Sequence, residues 1–140
     1  MMMLNKAKKA LIAINAKSWK SEGQEYIQTP ENITVMFELT YKSLTIGFLK
    51  LKKSVWTYEY SDEFKNQSDI QPLTDFPDVD KVYKSKELLP FFMQRIPSIS
   101  QPKVQAEIKK EKIDETNEAE LLKHFGKISI TNPFQLTPAF

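Results

Sequence analysis

Three aspartates in the run DFPDVD, Asp75, Asp78 and Asp80, have the type and spacing to hold a hard cation such as calcium. The EF-hand arrangement also needs a turn glycine and a distant glutamate, and Pro77 interrupts this run, so a solvated acidic loop is expected instead. Glu107, Glu111 and Glu115 recur four residues apart and could act as paired carboxylates. Lysines alternate with them, however, which is the pattern of surface ion pairs along a helix face. His124 is the only histidine and there is no cysteine, which takes away thiol nucleophiles and the His/Cys shell of a zinc site, and the sequence offers no Ser/His arrangement with a third orienting group. At the end of a helical pattern, its imidazole would complement the helix dipole. Gly23, Gly47 and Gly126 are isolated, so no glycine-rich loop is available to cradle phosphate. The expectation is a protein without catalytic residues, metal or cofactor, acting on no small-molecule substrate.

One cluster could recognise nucleic acid. Trp56, Tyr58 and Tyr60 share one face of a strand pattern, as do the aromatic platforms on which single-stranded bases stack. An RNA- or DNA-binding module using this stripe and a basic N-terminus is therefore one candidate function. Against it, the net charge is only +2, Arg95 is the sole arginine, and no cation shares the face of the stripe. Strand aromatics also serve simply to pack against helices.

The elements that must position these residues fit one domain in 140 residues. Residues 1–21 hold Lys6, Lys8, Lys9, Lys17 and Lys20 and no acid, with Ala7, Leu11, Ile14 and Ser18 at helical spacing. Residues 1–30 thus read as a basic N-terminal helix or arm, and residues 31–140 as the domain. From Ile33 the period becomes two: Ile33, Val35, Phe37 and Leu39 alternate with polar residues, a turn follows at Tyr41 to Ser43, and a second strand carries a bulge near Gly47. Lys52 and Lys53 turn the chain into a third strand, Ser54 to Tyr60. Residues 61–84 read as a long loop broken by Pro72 and Pro77. Ser85 is a candidate cap for a helical turn that Pro90 starts or kinks, and Pro97 ends it. Pro102 opens a surface helix with Val104 and Ile108 inward. Asn117 and Glu120 suggest a capping box for a helix that closes at Gly126. Ile128 and Ile130 alternate with polar residues as a last short strand returning to the meander. The fold class is α+β: a small antiparallel sheet with a returning C-terminal strand, packed with short helices. No apolar run reaches membrane-span length, and the lack of cysteine fits a reducing cytoplasm.

Leu88, Leu89, Pro90, Phe91, Phe92 and Ile96 crowd six apolar residues into nine positions, more than one face of a short helix needs. Either all six simply fill the core, or the surplus offers a partner-binding surface on Phe91, Phe92, Met93 and Ile96, with Trp56 as a rigid wedge. The order Tyr83-x-Ser85-x-x-Leu88-Leu89-Pro90-Phe91-Phe92-x-x-x-Ile96-Pro97 resembles a stretch of the N-terminal subdomain of HipA-type kinases. Upstream, Val55 to Tyr60 with Phe64 and Leu73 is similar to the same subdomain; downstream, Leu121 to Gly126 and Ile130-Thr131-Asn132-Pro133-Phe134-x-Leu136 are similar to its ending. The chain departs from the pattern at Ser98 and Ile99, and lacks the kinase's ATP loop, catalytic aspartate and magnesium ligands. A free-standing copy of this subdomain resembles the HipS antitoxins of HipBST toxin–antitoxin systems. That resemblance implies a bacterial antitoxin that docks on a HipT-like kinase toxin and inhibits it, with a HipB-like DNA-binding protein as a further partner.

Overall fold

The computed structural model describes residues 27–30 and 33–139. The basic helix expected over residues 1–21 lies outside the described residues. Strands β1 (Val35–Tyr41), β2 (Leu44–Lys52) and β3 (Val55–Tyr60) form an antiparallel meander. Both connections are two-residue turns that enter the left-handed region, with φ of 53° at Lys42 and of 50° and 64° at Lys53 and Ser54. Positive φ at these positions gives a twist that matches the flanking strands.

The expected bulge is present. Leu39 pairs with Gly47 and Thr40 with Thr45, so Ile46 is the extra residue, and Ile46 and Gly47 are both buried before the alternation resumes at Leu49 and Leu51. Gly47 is required by proximity: a Cβ there would lie 2.5 Å from both the Glu59 carbonyl oxygen and the Tyr58 hydroxyl. Val35, Phe37, Leu39, Leu49, Leu51, Trp56, Tyr58 and Tyr60 thereby fill the buried face of the sheet. The other face mixes half-buried Met36, Phe48 and Val55 with polar side chains, Lys50 Nζ lying 3.1 Å from Glu59 Oε1.

Residues 61–84 are more ordered than their composition suggests. Ser61 accepts a hydrogen bond from the Phe64 amide and caps the single-turn α1 (Asp62–Lys65), which drops Phe64 into the core. The Tyr60 hydroxyl donates to the Phe76 carbonyl at 2.6 Å and accepts from the Leu73 amide at 2.9 Å, stitching the loop back to the sheet. Strand β4 (Tyr83–Ser85) then pairs with β3. Ser85 is therefore a strand residue, not a helix cap; its hydroxyl accepts from the Glu87 amide.

Pro90 occupies the first position of α2 (Pro90–Met93), where its missing N–H costs nothing. The surface helix α3 (Pro102–Glu111) buries Val104 and Ile108 as expected. In α4 (Glu118–Phe125), the Asn117 side chain accepts from the Glu120 amide at 3.1 Å. The returning strand is β5 (Gln135–Pro138), which pairs antiparallel with β1 and gives the order β4-β3-β2-β1-β5. Ile128 and Ile130, expected in that strand, lie instead in irregular chain before it. The fold is α+β, with four short helices and a five-stranded antiparallel sheet among the described residues. No described helix is long and apolar enough to cross a membrane.

Candidate protein-binding interface

The five side chains expected to face a partner, Trp56, Phe91, Phe92, Met93 and Ile96, are all buried, Phe91 being the most accessible at 8%. The apolar surplus beside Pro90 does have two sides, but the chain covers both itself. Phe92 packs on Tyr58 with ring centroids 5.5 Å apart, so one side of α2 meets the sheet. Phe91 meets Phe76 at 5.7 Å and Phe134 at 6.5 Å, so the other side meets the long loop and the C-terminal segment.

Trp56 is not a wedge either. Its indole Nε1 donates to Glu118 Oε1 at 2.9 Å, and the Thr29 hydroxyl donates to the same oxygen at 2.6 Å. Tyr58 and Tyr60 share the buried face with it, so the stripe offers no platform on which bases could stack. Burial raises the hydroxyl pKa of Tyr60 to about 12 and that of Tyr58 still further. The Tyr58 hydroxyl has no hydrogen-bond partner among the described residues.

The remaining candidates are dispersed or paired. Asp75, Asp78 and Asp80 are exposed, and Asp78 caps its own loop by accepting from the Asp80 amide at 2.9 Å. Glu107 lies 3.2 Å from His124 Nε2, a surface pair that joins α3 to α4. Glu115 accepts from the Gln105 side chain. No group of three or more His, Asp or Glu side chains that could hold a metal ion occurs among the described residues.

A different surface is built for exposure. Ile128 is 68% exposed and Ile130 fully so, on the connection between α4 and β5. Arg95, itself buried, holds that connection from beneath. Its Nη1 donates to the carbonyls of Gly126 and Lys127 at 3.0 and 3.3 Å, and its Nη2 to Asn132 Oδ1 and the Phe134 carbonyl, both at 2.9 Å. A planar fork suits four acceptors arranged around one loop, which a lysine could not match. Burial lowers the guanidinium pKa to about 10, leaving it charged at neutral pH. Within the loop, Asn132 Oδ1 also accepts from the Phe134 amide and the Ser129 hydroxyl from the Thr131 amide. The Leu136 amide donates to the Lys127 carbonyl and closes the base. Two isoleucines are thus presented on a braced support, a pre-ordered arrangement that lowers the entropy cost of docking.

Reasoning from sequence missed this surface, though a signal existed. Arg95 is the one arginine in a lysine-rich chain and sits within the most apolar segment. A lone arginine there needs fixed acceptors, and the nearby polar, proline-containing stretch at 129–133 could supply them.

Residues 37–130 match the family model described as the HipA N-terminal domain, from the middle of β1 through Ile130. Comparison with curated proteins gives no match.

Proposed function

The chain belongs to the HipA N-terminal domain family, whose role is HipA-related toxin–antitoxin function, and on that premise we propose that it is an antitoxin: it binds a HipT-like serine/threonine kinase toxin and neutralises it by protein–protein contact. It acts without chemistry of its own, occupying on the toxin the place that this subdomain has on a full-length kinase and holding the nucleotide cleft in an inactive form. A HipB-like DNA-binding protein joins the same complex.

The observation that supports a docking function best is the Arg95-braced loop with Ile128 and Ile130 outward. A side chain left in water gains most when a partner covers it, and burying an isoleucine contributes about 1.5–3 kcal/mol. Each isoleucine is therefore expected to account for about tenfold to hundredfold in affinity.

Coexpression with a HipT-like kinase and a HipB-like protein tests the proposal. The chain is expected to copurify with the kinase and relieve its toxicity. Ile128→Ser and Ile130→Ser should each weaken retention while leaving thermal stability within about 0.5 kcal/mol of the parent, because neither side chain is packed. A kinase that neither copurifies nor loses toxicity would sink the antitoxin assignment. Copurification untouched by both substitutions would move the interface elsewhere on the surface.

A further inference from the structure

A groove of about 500 Å³ opens beside the start of β1 and the α3–α4 pair, with Ile33, Ile113 and Ala119 as its apolar lining. Glu111 and Glu120 line it too, with Lys123 and His124, and His124 Nε2 lies 3.2 Å from Glu107 Oε1. We propose that this groove is the docking site of the chain's own N-terminal segment, residues 4–20.

Geometry gives the first reason. The described chain begins at Ile27, which is fully buried, and Gln28 forms a parallel bridge with Asn117, another lining residue. The Gln28 amide donates to the Thr116 carbonyl at 2.8 Å, and the Glu118 amide to the Gln28 carbonyl at 3.0 Å. Gln28 and Asn117 run parallel, so on this proposal the residues before Ile27 continue in that direction, past Asp114 and Ile113. The residues between Lys20 and Gln28 can span at most about 25 Å, ample for a site that Asn117 itself lines.

Charge gives the second. Residues 1–21 carry five lysines and no acid; beyond them fifteen cations face eighteen acids, a balance of −3. The near-neutral total thus hides a basic segment joined to an acidic domain, and two of the carboxylates stand in the groove. Apolar matching gives the third. Ala7, Leu11 and Ile14 fall on one face at helical spacing, and Ile33 is 38% exposed where such a face would cover it. The occupant comes from the same chain because the tether holds it at high effective concentration.

The chain has no cysteine, so Ser18→Cys in the full-length protein gives a single site for a nitroxide label. Methyl resonances of Ile33, Ile113 and Ala119 should broaden selectively. The broadening should disappear with Leu11→Asp plus Ile14→Asp, and should fall about tenfold with Glu111→Lys plus Glu120→Lys. Both glutamates are accessible, so the second variant keeps the fold, and unchanged spectra elsewhere would verify this. Added salt should weaken the effect, since the carboxylates are reached by solvent. Broadening that is absent, or spread evenly over the surface, overturns the proposal. Broadening found only when labelled chains are mixed with separate isotope-labelled chains also overturns it, making a second copy the occupant. No kinase enters the experiment, so its failure leaves the antitoxin assignment standing, and the reverse.

Discussion

Glu118 fixes Trp56 in place from 62 positions away in the sequence. One carboxylate oxygen receives both the indole N–H and the Thr29 hydroxyl, while Oε2 has no hydrogen-bond partner among the described residues. A buried carboxylate with one satisfied oxygen tolerates the loss of a donor poorly. Trp56→Phe is therefore expected to destabilise the protein by about 2 kcal/mol in denaturant unfolding. On the proposed antitoxin function, kinase retention per folded molecule should be unchanged, because the indole is fully buried. Selective loss of retention with unaltered stability would restore Trp56 as a contact residue. Tryptophan invites an interface assignment from sequence because it dominates binding hot spots. Glu118 reads in sequence merely as an acid in the first turn of a helix. Only the parallel bridge between Gln28 and Asn117, a long-range event with no local pattern, brings Thr29 to Glu118 and accounts for their contact.

At the scale of elements, legibility follows length. The meander was readable from Val35 to Tyr60 because each strand spans several periods of alternation, and the bulge showed as a phase shift at Gly47; Ile33, expected to begin the first strand on its buried face, lies before β1 and is exposed. Helices α3 and α4 announced themselves by Pro102 and by the Asn117 cap. In contrast, α1 has four residues and β4 three, too few for periodicity to exist; α1 is anchored through its cap, Ser61, whose amide and hydroxyl donate to the Ile46 and Thr45 carbonyls, and β4 by its pairing with β3. Ile128 and Ile130 mimicked a strand over a span whose flanking carbonyls, at Gly126, Lys127 and Phe134, are taken up by Arg95 instead of a ladder. The same clamp makes the loop sensitive to one substitution. Arg95→Met keeps an apolar stem but removes one donor each from the Gly126, Lys127 and Phe134 carbonyls and from Asn132 Oδ1, of which Lys127 and Asn132 keep their backbone amide donors, for an expected loss of about 3 kcal/mol. Hydrogen exchange should quicken across residues 127–134 well beyond the change in the sheet. Exchange that rises uniformly, or not at all, would show that the loop is held by Phe134 and Leu136 packing alone.

For the molecule as a whole, the core ties its stability to the protonation of two phenols. Tyr58 and Tyr60 stack edge to face at 5.3 Å between the sheet and the loop carrying Phe76, so neither can charge without disturbing several elements. Below pH 10 both are neutral in folded and unfolded chains alike, and the full stability is present. Above pH 10 the unfolded chain releases these protons while the folded chain holds that of Tyr60 to about pH 12 and that of Tyr58 beyond. The unfolded state then binds fewer protons, so stability falls as pH rises through this window. Tyr58→Phe isolates the effect, because its hydroxyl makes no hydrogen bond and its removal costs nothing in pairing. The variant should match or exceed the parent's stability at neutral pH and lose stability less steeply above pH 10. Tyrosinate absorbance in the parent should show part of the signal appearing only with unfolding. Equal slopes in both proteins would mean that water reaches the Tyr58 hydroxyl in the folded state, and that the space beside Gly47 is open.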